Sequence, residues 1–545
     1  MRNLVTGQQM KRIDQYTIEE IGVPSLVLQE RAALWAASEV KKRVKKGTRV
    51  WAVCGTGNNG ADAIAAARIL DLWGYPATLV LAGDREKETE ECRIQRNIAK
   101  KLGILDVSWQ EAEELEGVIL DGLFGVGLTR EIEGEFRQCI QWAASQPAVL
   151  TVAIDIPSGI HSDRGTIMGA ALKADVTVTF GWEKCGTVLF PGREYAGEVV
   201  IGDIGFPDLA YENVMLKNSQ EQNLVFTYEP EDLSLLPQRP EYSNKGTFGH
   251  VLIAAGSRTM SGAAYFSAKA AYRCGAGLVK ILTVEENRQI LQQLLPEAIL
   301  AVYNPEMAWE DPEGFGKLLE DQCVWADAVV LGPGLGTEPY VKELVAGVLS
   351  AACSTVVIDA DGLNVIAANP ELTRYYTENI VITPHLGEMA RLTGKTIEEI
   401  QEDVSGTAAE YASFWGIHCV LKDAATAVSD RDGRLYLNTS GNSAMAKAGS
   451  GDVLAGIIGA LCAQGMEPFE GASLSVYLHG LAGDRYWKKR GKASLLASEL
   501  ADMAGELADL ERGDRCDRMN QADRMTIPYD RTCAVVDLDA VCHNM

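Results

Sequence analysis

The chain is short of positive charge: 50 Lys and Arg stand against 75 Asp and Glu, a net charge of -25. That balance excludes nucleic acid as the main partner, since a phosphate backbone needs a basic field. It leaves room for a nucleotide, which needs only a local pocket. Histidine is scarce as well. The six, at 161, 250, 385, 418, 479 and 543, fall at no metal-ligand spacing, so a zinc site is not expected. Twelve cysteines are present without one Cys-x-x-Cys pair, and Cys54, Cys419 and Cys462 lie inside apolar runs. They read as reduced thiols. No apolar run reaches membrane-spanning length, and no signal pattern precedes Met1, Arg2, Asn3 and Leu4. A cytoplasmic protein with no membrane partner is expected.

What is present is ordinary globular composition, 47% hydrophobic and 23% charged, over 545 residues. That length is too great for one core. Apolar positions recur at helical spacing over 8–21 and 26–46, broken at Gly22, Val23 and Pro24. A strand at 49–54 then runs into Gly55, Thr56, Gly57, Asn58, Asn59, Gly60, Ala61 and Asp62. Strand, glycine turn and helix is the phosphate-cradling order of open α/β sheets. Further strands at 78–82, 118–121, 149–154 and 176–180 end beside Asp121, Asp155, Ser158 and Lys184. A carboxylate at one strand end is usually a turn residue. Asp62, Asp121 and Asp155 converging with Asn59, Ser158 and Lys184 point to a site, and the oxygens of Asn59, Asp121 and Ser158 suit a monovalent cation.

The pattern fades over 216–240, read as a linker between a domain at 1–215 and a second α/β array at 241–510. There the strand ends carry Gly256 and Ser257, Gly332 to Gly336, Asp359 to Asp361, Pro384 and His385, and Lys422 to Thr426. His385 reads as a capping or core-edge histidine or as a substrate contact, with contact favoured, and Lys422 as a neutraliser of nucleotide phosphates or an ordinary surface lysine. Then come Gly449, Ser450, Gly451 and Asp452, followed by an apolar helical run. A helix start has unpaired N–H groups and positive potential, so the turn is an anion site. Asp452 has two readings: an ordinary capping carboxylate, or a general base that takes a proton from a hydroxyl attacking phosphorus. A charged tail, 511–545, closes the chain.

Taken together these blocks resemble the bifunctional NAD(P)H-hydrate repair family, an NAD(P)H-hydrate epimerase fused to an ADP-dependent dehydratase. The resemblance spans roughly residues 5–510. It implies an α/β fold with two domains: a Rossmann-like αβα epimerase domain, then a ribokinase-like αβα dehydratase domain. For the first, it implies that Asp155 and Lys184 do acid–base work and that Asn59, Asp121 and Ser158 hold potassium. Substrate contacts would fall on Asn58, Asn59, Gly60, Ala61 and Asp62, and on Gly125, Val126, Gly127, Leu128, Thr129, Arg130 and Glu131. For the second, Asp452 is the implied base, with the Ser450 and Gly451 amides around the transferring phosphoryl group. Ala263, Gly334 and His385 would hold the hydrated cofactor, and Lys422, Asp423, Ala424, Ala425, Thr426 and Gly451 the ADP, with Mg2+.

The partners implied are hydrated NADH or NADPH and ADP, in a homo-oligomer. The chain departs from the family at Gln29 to Ala33, where Met-Glu-Asn-Ala-Gly is usual, at Ala61, where a glycine is usual and a methyl would crowd a backbone at positive φ or close to phosphate, and at Asp423, also usually glycine. Residues 534–544 resemble the opening strand of alanine racemases. The competing reading is a ribokinase-like small-molecule kinase with a non-catalytic N-terminal domain.

Overall fold

A computed structural model describes residues 1–112, 114–216, 224–491 and 493–512. The racemase-like ending lies outside them. Two sheets organise the chain. The first has seven parallel strands, in the order Leu105–Ser108, Ala77–Leu81, Val50–Cys54, Gly117–Gly122, Ala148–Ile154, Val176–Phe180 and Glu198–Gly202. Its strands read as continuous apolar runs because both faces are covered. Val50, Ala52 and Cys54 enter one core cluster, Trp51 and Val53 the other. That alternation is the two-residue period of a strand.

The second sheet starts with seven parallel strands: Ile299–Tyr303, Leu278–Val284, His250–Ala254, Ala328–Leu331, Thr355–Ile358, Ile380–Ile382 and His418–Leu421. Antiparallel Ala427–Ser429 and Leu435–Leu437 follow. Val251 and Ile253 face one core, Leu252 and Ala254 the other. Both sheets are therefore the middle of three αβα layers. In each, strand order reverses between the first strand and a later one, at Val50–Cys54 beside Gly117–Gly122 and at His250–Ala254 beside Ala328–Leu331. Ligand crevices of open α/β sheets form at that switch, past the carboxyl ends of the strands.

The second sheet does not stop at Leu435–Leu437. Val225–Thr227 pairs parallel with it, Arg2–Val5 pairs antiparallel with Val225–Thr227, and the two-residue strand Glu183–Lys184 pairs parallel with Arg2–Val5. Part of the expected linker, 216–240, is thus a sheet strand, with Phe226, Tyr228, Leu233 and Leu236 all buried. Its apolar residues are too few to show a period, but they fill the core under the seam.

The first helical stretch is Gly7–Tyr16, which unwinds into a wider turn over Thr17–Ile21 before Gly22; the second is Ser25–Arg43. The closing helices run Pro468–Arg490 and Ala497–Arg512. Among the described residues no helix is long and apolar enough to cross a membrane.

Candidate functional sites

At the first sheet's switch point, Asp155 ends the Ala148–Ile154 strand with φ 68. A non-glycine residue in the left-handed region costs on the order of 1 kcal/mol or more and is kept only where neighbours impose it. Here Lys184 Nζ lies 2.5 Å from Asp155 Oδ1, and also donates to Thr179 Oγ1 at 2.9 Å and to the Phe180 carbonyl at 3.2 Å. Thr179 Oγ1 donates to the same Asp155 oxygen at 3.1 Å. Lys184 is fully buried, and among the described residues these three oxygens hold its ammonium.

Asp62 faces the same space. Burial, then Asp155 and Asp14, push its carboxyl well above the usual range, against a hydrogen bond from Gln29. Gln29 in turn accepts from Gln95 Nε2 at 3.0 Å. Asp14, on the Gly7–Tyr16 helix, is raised by burial and by Asp155.

Next to this pair, Asp121 accepts from the Ser158 amide at 2.8 Å and its hydroxyl at 2.5 Å, and from the Leu123 amide. Asn59 Nδ2 donates to the Phe124 carbonyl at 2.9 Å, and Ser158 Oγ accepts from the Phe124 amide at 2.9 Å. The three expected cation ligands therefore gather around one loop. Asp121 is fully buried, and burial raises its carboxyl to about 6 despite these hydrogen bonds.

Two expectations change. Ala61 has no positive φ; it sits in the first turn of the Asn58–Leu72 helix with its methyl in the core. Leu128 is likewise packed into the core of the other face. Both side chains are turned into the core, and both amides are already donated, to the Gly57 and Gly125 carbonyls at 3.1 and 3.3 Å.

In the second sheet, the turn before the Ser450–Ala463 helix has Gly449 as N-cap at φ 91. Asp452 lies in the first turn, and burial, then Asp359, raise its carboxyl to about 6, while Lys422 opposes. The Ser450 amide donates to the Lys447 carbonyl at 3.3 Å and its hydroxyl to the Met445 carbonyl at 2.8 Å. The Ser450 amide is thus not the expected anion donor. Helix geometry leaves the Gly451 and Asp452 amides for that role.

Lys422 also departs from expectation. Its Nζ lies 2.7 Å from Asp359 Oδ1, an oxygen that also accepts from Thr383 Oγ1 at 2.7 Å. Burial works against the ammonium, but Asp359 and Glu388 outweigh it and hold Lys422 above the usual lysine range. Its charge is already matched by a buried carboxylate, directly under the turn: a β-carbon at Gly451 would stand 3.4 Å from Lys422 Nζ. Asp423 and Ala424 are exposed, whereas Ala425 and Thr426 are buried.

Gly334 and Ala263 lie against each other. Gly334 has φ 62, and a β-carbon there would stand 2.7 Å from that of Ala263. His385 turns out to be a cap: its Nδ1 accepts from the Gly387 and Glu388 amides at 3.0 and 3.3 Å, in a capping box with Glu388. Its ring remains exposed on the other edge, with Nε2 3.4 Å from Glu388 Oε1. Asp359 reads from the sequence only as a strand-end residue, not as the partner of Lys422, and Thr179 and Asp14 are not expected at the site at all. Asp359 and Thr179 stand at strand ends, where such residues collect; Asp14 sits in a helix and carries no local signal.

Two family models match. One described as NAD(P)H-hydrate dehydratase covers residues 251–505, and one described as YjeF-related protein N-terminus covers 25–186. The chain is 35% identical over 500 residues to the bifunctional NAD(P)H-hydrate repair enzyme Nnr of Thermofilum pendens, covering 90% of this chain and 93% of that one. It is 33% identical over 519 residues to the enzyme of the same name from Moorella thermoacetica, covering 92% and 95%. Among solved structures, an ADP/ATP-dependent NAD(P)H-hydrate dehydratase from Bacillus subtilis, co-crystallised with ATP and Mg2+, is 32% identical over 52% of this chain and 98% of its own, with a TM-score of 0.46.

Proposed function

The chain belongs to the bifunctional NAD(P)H-hydrate repair enzyme family, and from that premise we propose that it restores hydrated NAD(P)H in two steps, one at each site. The N-terminal site interconverts the R and S forms of the hydrate. The C-terminal site uses ADP to dehydrate the S form, releasing AMP and phosphate.

At the first site, Asp155 and Lys184 move the proton needed to open and reclose the hydrated ring carbon. Their contact lets one hold the proton that the other lacks. Asp62 and the loop from Gly125 to Glu131 border the same crevice and take the nucleotide. Asn59, Asp121 and Ser158 are the residues that would hold potassium. Asp121 fits that role: it is a buried carboxyl, raised to about 6, with no cationic side chain paired to it among the described residues. A hard monovalent cation there would supply the missing positive charge.

At the second site, hydroxide is a poor leaving group, so the ring hydroxyl must first become a phosphate ester. Asp452 takes the hydroxyl proton as the oxygen bonds to the β-phosphorus of ADP and AMP departs. The Gly451 and Asp452 amides face the charge on the transferring group. The ester C–O bond then breaks with its electron pair leaving on phosphate, and the adjacent ring carbon gives up a proton to solvent as the ring double bond re-forms. Ala263 and Gly334 border the hydrate, with the exposed edge of His385 beside it.

One observation carries the reading: a carboxyl tuned to about 6, in the first turn of a helix whose N-cap is a left-handed glycine. A base near that value is charged at neutral pH yet still binds a proton well. The test is recovery of reduced-nicotinamide absorbance from mixed hydrate epimers with ADP and Mg2+. Wild type should recover all of it, and Asp452→Asn none. A stable phosphate ester as the end product would instead identify a small-molecule kinase.

A further inference from the structure

The short strand that carries Lys184 belongs to the seam between the two halves. Leu4 pairs with Glu183 and Val5 with Lys184. On its other edge, Arg2–Val5 pairs with Val225–Thr227, which pairs with Leu435–Leu437 of the C-terminal half. Adjacent side chains of a strand point to opposite faces. Lys184 reaches Asp155; Glu183 points the other way and is buried.

A buried carboxylate needs a counter-charge. The Glu183 carboxylate has the Arg2 guanidinium as its ion-pair partner, and the Arg2 Nε lies 3.5 Å from Glu229 Oε1. Glu229 opens the turn Pro230–Leu235, packed against the C-terminal core. The Thr187 hydroxyl ties the carboxylate to the strand's backbone, 3.1 Å from Glu183 Oε1 and 2.8 Å from the Lys184 carbonyl. An unbroken set of contacts therefore runs from Glu229 through Arg2 and Glu183 to the backbone that aims Lys184.

We propose that Arg2 is a positioning residue for the N-terminal site, and that Glu229, on the C-terminal side of the seam, acts through it to set Lys184 against Asp155. This rests on the reading of Asp155 and Lys184 as the epimerising pair. Without Arg2, Glu183 is left charged and unpaired inside the protein. The strand must then shift to bring it to water, and Lys184 shifts with it. Misplacement of about 1 Å costs on the order of a hundredfold in rate.

The full chain tests this, with epimerisation and ADP-dependent dehydration of the S form measured separately. Arg2→Met is expected to lower the kcat of epimerisation by at least about tenfold with little change in KM. Arg2→Lys should recover most of it. Glu183→Gln in the Arg2→Met background should recover part, because the buried charge is gone. Glu229→Gln should lower epimerisation by a smaller factor, and dehydration should stay at the wild-type rate throughout.

A merely structural loss would lower both activities and the melting temperature together. If Arg2→Met behaves in that way, Glu229→Gln decides: selective loss of epimerisation supports the proposal, and parallel loss overturns it. Epimerisation within about twofold of wild type in both variants overturns it too, provided Lys184→Met is inactive. An active Lys184→Met would fail earlier, at the assignment of the pair itself.

Discussion

Dehydration should titrate with Asp452. Burial and the neighbouring Asp359 raise its carboxyl to about 6, while Lys422 opposes. A base works only when deprotonated. With a value near 6, roughly nine-tenths of the enzyme is active at pH 7 and about one-tenth at pH 5. The kcat/KM of dehydration should therefore fall about tenfold across that interval, with a slope of one on its acid side. The sharper perturbation is Asp359→Asn. It removes a like charge from beside Asp452 and frees Lys422 from its 2.7 Å partner. Both changes favour the Asp452 carboxylate, so the acid limb should move to lower pH. The assay is initial-rate recovery of reduced nicotinamide from purified S hydrate, from pH 4.5 to 8 in steps of about half a unit, at saturating ADP, with Asp452→Asn as the blank. An acid limb that stays put in Asp359→Asn, or moves up, would refute the electrostatic account of this site.

The remaining predictions follow from the same contacts. Lys422→Met strands Asp359, which is 1% exposed, as an unpaired buried charge; a loss of about 3–5 kcal/mol in denaturant unfolding is expected. Asp121 has a folded value of about 6 against 3.8 unfolded, so its favourable contribution is present below pH 3.8 and is lost as pH rises through 6; the loss is about 3 kcal/mol. Potassium should therefore raise the melting temperature of wild type at pH 8 and leave that of Asp121→Asn unchanged. Asp155→Asn should abolish epimerisation and leave dehydration intact, seen as recovery that stops at the S fraction of a mixed substrate. Gly334→Ala puts a methyl against Ala263 on a backbone at φ 62; the KM for the hydrate should rise and the melting temperature fall.

The two αβα layers were legible because their strands are continuous apolar runs closed by glycine turns. The runs at 49–54, 118–121 and 176–180 return as strands within a residue or two. The sites were legible to the same depth. Residues at strand ends converge because parallel topology makes them converge. What the residue types could not reveal was pairing. Lys422 in the sequence is a cation beside a presumed phosphate site; in the fold it is held by Asp359, some sixty positions earlier, and that partner changes its role. His385 carries a ring fit for substrate, yet its Nδ1 is occupied by two amides. Both outcomes depend on contacts between loops, to which periodicity is blind.

The seam is the clearest case of what local sequence cannot encode. Glu183–Lys184 is two residues long, Val225–Thr227 three and Arg2–Val5 four. None is long enough to show an alternation, and β-propensity is weak without a partner. Each is a strand only because the next one is there, and the pairs lie some 180 to 220 positions apart. Order in that stretch is therefore conditional on both halves being folded. Backbone pairing at the far edge of the dehydratase sheet holds the lysine of the other site in place. The fusion of two enzymes in this chain is then more than a tether. The N-terminal site borrows a strand's worth of placement from its neighbour, and Val225–Thr227, which reads as linker, is where that placement is handed over.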